Sequence, residues 1–424
     1  MKERVVSLCT NLVALALLSV CAYAAGPKLQ TLHSFTGGSD GEGPVSTLAV
    51  DRVGNLYGTT GGGGGATACE LGCGTVFMLA VPATQNGAWK ETVLYSFTGG
   101  SDGAGPAAGL IFDRAGNLYG TTAVGGDGPC NEGVGGCGVV FELSPPAAPG
   151  GAWTEAVLHS FSGSDGSGPI ARLTLDQAGN LYGTTNGGGS GSGCSAGCGV
   201  VFELVAPASQ GGAWTYSVLH NFSQDGSDGF LPYGDLVLDP AGNLYGTTIA
   251  GGTGNAGGTV FELEALTWAE NILYTFPSGH SGPAAGVIFD QVGNLYGTTE
   301  GGGASGQGSV FKLTRSGSAW TETVLFDGRA HAATFLGDLI FDQSGKNLYG
   351  TAEGFGGGAG ALFRLQNGAN WKEAEIDLFI GTGPGFPRGG LVFGKLGALY
   401  GTSSAGGTSQ NCRFGCGTVF GILP

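Results

Sequence analysis

Three sets of residues have types and spacings that could do chemistry. The first is an acidic position four residues before a proline: Asp40 before Pro44, Asp102 before Pro106, Asp165 before Pro169 and Asp228 before Pro232. A carboxylate repeated at a fixed place could hold a cation or accept hydrogen bonds from a polyhydroxyl ligand. Calcium is the cation that oxygen ligands alone would take, and it needs six or more of them. Single carboxylates supply that only if they converge. The other reading is local, with each Asp accepting bonds from its own turn amides. The second set is His280 and His331, which stand at or beside the same position in two later repeats. Close together beside a carboxylate, they could act as a general base, and they are the only catalytic candidates. No metal is specified by either set. The third set is eight cysteines in four local pairs: Cys69 with Cys73, Cys130 with Cys137, Cys194 with Cys198, and Cys412 with Cys416. In an exported chain such pairs read as disulfides. Zinc fits less well, because each pair sits alone and would need ligands from elsewhere.

Other conspicuous side chains read as structural. His33, His159 and His220 take the place of Tyr95 and Tyr274 in sister repeats, which marks a strand-surface or packing position. Trp89, Trp153, Trp214, Trp268, Trp320 and Trp371 each precede a strand-like run and read as packing residues. Asp51, Asp113, Asp176, Asp239, Asp290 and Asp342 sit beside a Gly-Asn or its near equivalent and read as turn caps. No nucleophile elbow, HExxH or nucleotide fingerprint is present. The glycine run Gly61 to Gly65 opens no helix, so it lacks the setting of a phosphate cradle.

The elements that position these residues follow from a repeat. Asn55-Leu56-Tyr57-Gly58-Thr59-Thr60 recurs from Asn117, Asn180, Asn243 and Asn294, with degenerate copies from Asn347 and Ala398. The tyrosines are spaced by 62, 63, 63, 51, 53 and 51 residues. Each unit carries four short strand-like runs and no helical pattern, the signature of a propeller blade. The last unit ends on its third run, whereas Lys28 to Phe35 has the pattern of a fourth. The expected fold is therefore an all-β, seven-bladed propeller with four antiparallel strands per blade, its N-terminal strand completing the last blade. In such a ring the glycine-rich loops, the cysteines and the Ser-Asp-Gly loops share one face. The cysteine-bearing units 7, 1, 2 and 3 are then contiguous, and the acidic loops should ring the mouth of the central channel.

The succession Ser-Phe, Ser-Asp-Gly, Gly-Asn-Leu-Tyr-Gly-Thr-Thr and Gly-Thr-Val-Phe resembles the GloVer tandem repeat of exported bacterial proteins. The resemblance covers residues 25–424. It implies an exported propeller, often surface-anchored, and no particular activity or catalytic residue. This sequence ends inside its last repeat, so a sorting tail is not expected, which argues against surface anchoring. The turn motif is also loosely similar, at the level of fold, to the propeller lyase that opens virginiamycin B.

Composition and charge narrow the function. Glycine accounts for 89 of 424 residues, yet 41% are hydrophobic, enough to fill a core. The net charge of −16 argues against nucleic acid and anionic membranes as partners. Lys2, Arg4, the apolar run from Leu12 to Cys21 and the small-x-small Ala22-Tyr23-Ala24 read as a signal peptide over residues 1–24. A lipoprotein signal ending at Cys21 is the alternative, disfavoured by the bulk of Val20. No later stretch is long and apolar enough to span a membrane. The expected protein is an exported monomer in the periplasm, on the cell surface or outside the cell. Its expected role is to bind a glycan or a surface protein without catalysis. The alternatives are a secreted lyase or hydrolase acting on a carbohydrate or cyclic ester, and a structural envelope protein.

Overall fold

In the computed structural model, each letter of the repeated phrase has a contact that accounts for it. In the first unit Asp51 Oδ1 accepts the N–H groups of Val53, Gly54 and Asn55 at 2.7–2.9 Å. The Asn55 amide donates to Asp51 Oδ2 at 2.7 Å, and its carbonyl accepts the Val81 N–H beyond the third strand. Tyr57 Oη donates to the same Asp51 oxygen at 3.2 Å. Leu56 is fully buried. Gly58 lies under Phe77, and a Cβ there would stand 2.7 Å from the ring, so only glycine fits. Thr59 Oγ1 donates to Ala108 O of the next blade at 3.0 Å, and Thr60 Oγ1 meets Thr75 Oγ1 at 2.8 Å. The motif thus closes a turn, fills the core and ties one blade to the next.

The structure describes residues 28–84, 87–130, 135–148, 150–209, 211–254, 256–278, 282–302, 306–327, 334–353, 360–367, 371–378 and 384–423. The residues read as a signal peptide, and both His280 and His331, lie outside this set. Among the described residues the only helix is the 3-10 turn Lys395–Gly397. The strands form a propeller of seven antiparallel blades of four strands each, blade 4 carrying a fifth, with the short pair Pro384–Gly385 and Ala405–Gly406 beside blade 7. Blade 1 is Ala49–Val50, Leu56–Thr60, Thr75–Ala80 and Lys90–Ser96, from the channel outward. Blade 3 ends in the outermost strand Thr215–Asn221, and blade 4 in Glu270–Thr275.

Blade 7 closes the ring as its sequence predicts. Lys28–Ser34 pairs antiparallel with Thr418–Leu423, which pairs with Leu399–Ser403 and, beyond it, Val392–Phe393. Thr402 Oγ1 donates to Ser46 O at 2.7 Å, joining blade 7 to blade 1 as Thr59 joins blade 1 to blade 2. Blade 4 departs from the repeat. The run before it forms an added strand, Gly229–Pro232, on Leu244–Gly251, where sister blades make single bridges such as Ala104 with Val124.

The core lies between blades. Fully buried phenylalanines meet edge to face across successive blades: Phe35 with Phe77, Phe97 with Phe141, Phe161 with Phe202, Phe222 with Phe261 and Phe276 with Phe311, at 5.0–5.3 Å. The tryptophans also pack between blades. Trp89 lies on Tyr400 of blade 7, Trp153 on Tyr57, Trp214 on Tyr119 and Trp371 on Tyr296.

Candidate functional site

The four cysteine pairs are disulfides: Cys69–Cys73, Cys130–Cys137, Cys194–Cys198 and Cys412–Cys416. They fit an oxidising compartment. Each closes a loop between second and third strands, on the face that also carries the interblade loops. Gly37 (φ +78°) lies so near Cys412–Cys416 that a Cβ would sit 2.9 Å from both sulfurs, and Gly99 is similarly placed on Cys69–Cys73. Blades 7, 1, 2 and 3 therefore present one continuous stapled arc. Among the described residues no helix is long and apolar enough to cross a membrane.

The staples hold apolar tips in water. Three of them share the spacing Cys-x-x-Gly-Cys, and the residue before the glycine is Leu71 in blade 1 and Phe414 in blade 7, 67% and 64% exposed. Phe414 borders a groove of about 390 Å³. Phe386 meets it edge-on at 6.3 Å, and Arg413 stacks on its ring at 5.0 Å. Glu42, Glu353 and Arg388 line the groove. Arg388 forms a two-point pair with Glu353, Nε to Oε2 and Nη2 to Oε1, both at 3.1 Å. Phe386 holds φ of +53°, a conformation that costs free energy in a non-glycine residue and that clusters at functional sites.

Arg388 also lines the central channel, a cavity of about 200 Å³. The other charges enter the channel at one repeat position, the residue just before the buried Leu or Val that leads into the innermost strand. That position is Thr47, Gly109, Arg172, Asp235, Gly286, Asp338 and Gly390 in turn. Arg172 Nε donates to Asp235 Oδ2 at 2.9 Å, and its backbone N–H to Asp235 Oδ1 at 2.7 Å. Asp338 accepts the Gly286 N–H at 3.0 Å. Burial first, then the charge of Asp235, pushes the Asp338 carboxyl up, against the opposing pull of Arg172. A carboxyl raised in this way can both donate and accept a hydrogen bond while it is protonated.

The acidic loop residues do not line this channel. The chain passes them several residues before it reaches the channel wall, and their carboxylates turn toward the outermost strands. Asp40 accepts the Thr36 N–H and hydroxyl at 2.8 and 2.5 Å, and Asp102 accepts the same pair from Thr98. Asp165 accepts the Ser162 N–H at 2.7 Å, and Asp228 the Ser223 N–H at 2.9 Å. Each also faces the exchangeable His/Tyr position: Asp102 accepts from Tyr95 Oη at 3.0 Å, Asp165 meets His159 Nε2 at 3.0 Å, and His33 and His220 lie 3.9 and 3.4 Å from Asp40 and Asp228. This explains the exchange. Both side chains can carry a donor to the same carboxylate.

Glutamates from the outermost strand of the following blade, a role that sequence reasoning missed, approach three of these aspartates, and Tyr216 takes the place beside Asp165. Glu91 approaches Asp40, and Glu155 approaches Asp102. Burial first, then the neighbouring aspartate, pushes both carboxyls up to about 7. Glu155 Oε1 is buried without a hydrogen-bond partner. A carboxyl raised on folding contributes stability below its unfolded value and loses it as pH rises through the folded value. Glu155→Gln should therefore gain thermal stability over the wild type as pH rises from about 4.5 to about 7, with a constant difference above that. Parallel melting curves for the two proteins across this range would contradict the assignment.

No curated protein matches the chain in sequence. Among solved structures, a hypothetical selenium-binding protein from Sulfolobus tokodaii is similar at 12% identity and a TM-score of 0.55, over 81% of each chain. A candidate 6-phosphogluconolactonase from Bacteroides fragilis is similar at 16% identity and a TM-score of 0.47, over 84% of this chain and 86% of the other. At these identities the likeness is one of fold. The model of the Gloeobacter/Verrucomicrobia repeat matches three overlapping stretches, residues 20–195, 72–286 and 191–420. These span nearly the whole chain, and the protein belongs to the Gloeobacter/Verrucomicrobia repeat family.

Proposed function

We propose that the protein is an exported recognition module, without catalysis of its own, that binds a glycan on the disulfide-bearing face. The observation that carries this reading is the groove under Phe414. A sugar needs a flat apolar surface for its C–H face and fixed polar groups for its hydroxyls. Phe386 and Phe414 offer the first, and the Glu353–Arg388 pair with Glu42 offers the second. The short disulfide Cys412–Cys416 encloses Phe414 and limits the freedom it would lose on binding. The small fraction of charged residues, 11%, and their net charge of −16 suit a neutral polyhydroxyl better than a polyanion. The test is a glycan array probed with the exported chain and with Phe414→Ala. Expected are hits that the variant loses by tenfold or more, the scale of ~1.4 kcal/mol. Hits unaffected by the variant, or retention of envelope proteins in place of glycans, would overturn the reading.

A second reading, a hydrolase or lyase acting on a carbohydrate or cyclic ester, is favoured by the Asp235–Asp338 pair in the channel. It draws its acid and base from these two carboxyls, whereas His280 and His331 lie outside the described residues. Release of product from an array hit, lost in Asp338→Asn, would support it.

A further inference from the structure

Buried polar atoms without partners among the described residues occur at more than one blade interface, His33 Nε2 and Glu91 Oε1 among them, but the interface between blades 3 and 4 differs in how closely they gather. His220 comes from the outermost strand of blade 3, Asp228 from the loop that follows, and Glu270 from the outermost strand of blade 4. Their ligand atoms all lie within 4.8 Å of one another. His220 Nε2 is 3.4 Å from Asp228 Oδ2 and 3.8 Å from Glu270 Oε2. His220 Nε2, Asp228 Oδ1 and Glu270 Oε1 are buried, and none has a hydrogen-bond partner among the described residues. Three orphaned polar atoms in one place are costly unless something joins them.

The sister interfaces lack this convergence. Tyr95 replaces the histidine between blades 1 and 2, and Tyr216 replaces the glutamate between blades 2 and 3, where it stacks on His159 at 3.8 Å. His33, Asp40 and Glu91 have the right types between blades 7 and 1. Among the described residues, however, only the His220 group gathers its ligand atoms this closely. The loop geometry differs too. Eight residues separate His220 from Asp228, against seven for His33 to Asp40 and six for His159 to Asp165.

From these observations we infer that His220, Asp228 and Glu270 form a binding site for a divalent transition-metal ion, zinc above all. The ligand chemistry chooses the class. An imidazole nitrogen with two carboxylates suits zinc or manganese, whereas calcium takes oxygen alone. The spacing agrees. Ligands about 2.0–2.2 Å from a tetrahedral zinc stand roughly 3.3–3.6 Å apart, close to the separations seen. The site also has a structural logic. Blade 3 carries the last staple of the arc, Cys194–Cys198, and blades 4 to 6 have no cysteine. An ion here would clamp the interface where the disulfides stop. This inference is independent of the glycan reading.

The experiment is a titration of the metal-stripped, exported chain with zinc chloride by calorimetry, repeated with cobalt(II) to read the visible absorption of a low-symmetry N/O site. Two variants accompany it. His220→Tyr installs the residue that sister blades already carry at this position, and Glu270→Gln keeps the shape. Expected is one zinc per chain, a higher thermal midpoint with the ion, and at least 30-fold weaker binding in each variant. Glu155→Gln, at the sister interface, should bind as the wild type does. Absence of binding at 100-fold molar excess, or binding unchanged in folded His220→Tyr and Glu270→Gln, would overturn the site.

Discussion

Removal of residues 25–35 should abolish the cooperative melting transition or lower its midpoint by more than about 10 °C. Lys28–Ser34 is the outermost strand of blade 7 and makes six register pairs with Thr418–Leu423. At about 1 kcal/mol for each backbone hydrogen bond, the ladder contributes roughly 6 kcal/mol. Phe35 is fully buried and edge-on to Phe77 of blade 1, and loss of such a ring costs about 3–5 kcal/mol. The sum is roughly 10 kcal/mol. With unfolding entropy near 2 cal/mol/K per residue over some 400 residues, each kcal/mol is worth about 1 °C. The deletion also bares the edge of Thr418–Leu423, a template for association. A truncated monomer melting within about 2 °C of the intact chain would show that the ring closes in some other way.

Reduction of all four disulfides should lower the midpoint by a comparable amount yet leave the blades assembled. Three of the bridges span four residues and one spans seven. Loop-closure entropy assigns about 2 kcal/mol to each, hence roughly 8 kcal/mol in all if they add, or about 10 °C. None joins two blades, so the Phe–Phe and Thr–carbonyl contacts between blades survive. The expected products of limited proteolysis after reduction are cuts within 61–74 and 406–417, with the strands protected. Loss of strand protection on reduction would mean that the staples hold the ring itself.

The ring was legible in the sequence because propeller physics repeats. Seven copies of Leu-Tyr-Gly-Thr, each with the glycine forced by a phenylalanine, announce seven blades. Lys28 to Phe35 could be assigned to blade 7 because it copies the fourth-strand pattern. The cysteine pairs were legible because each is local. The sites were less so, because function here departs from the repeat at single positions. Arg172, Asp235 and Asp338 stand where sister units have threonine or glycine, a signal visible only once the units are aligned on the innermost strand. Phe414 is one letter inside a disulfide loop. The histidines read as packing residues because tyrosine replaces them, yet the two types share the ability to donate to one aspartate. Glu91, Glu155 and Glu270 gave no signal, since a glutamate opening an outer strand looks like an ordinary solvent-facing charge.

Ligand recognition on the disulfide-bearing face, as proposed, is open to a direct test. The measurement is hydrogen exchange of residues 25–424 with and without the strongest array glycan. Slowed exchange is expected at 384–390 and 404–415, around Phe386, Arg388 and Phe414, with no change in the turns at Asp51, Asp113 and Asp176 on the opposite face. Protection confined to those turns, or to the outer strands alone, would contradict the proposal.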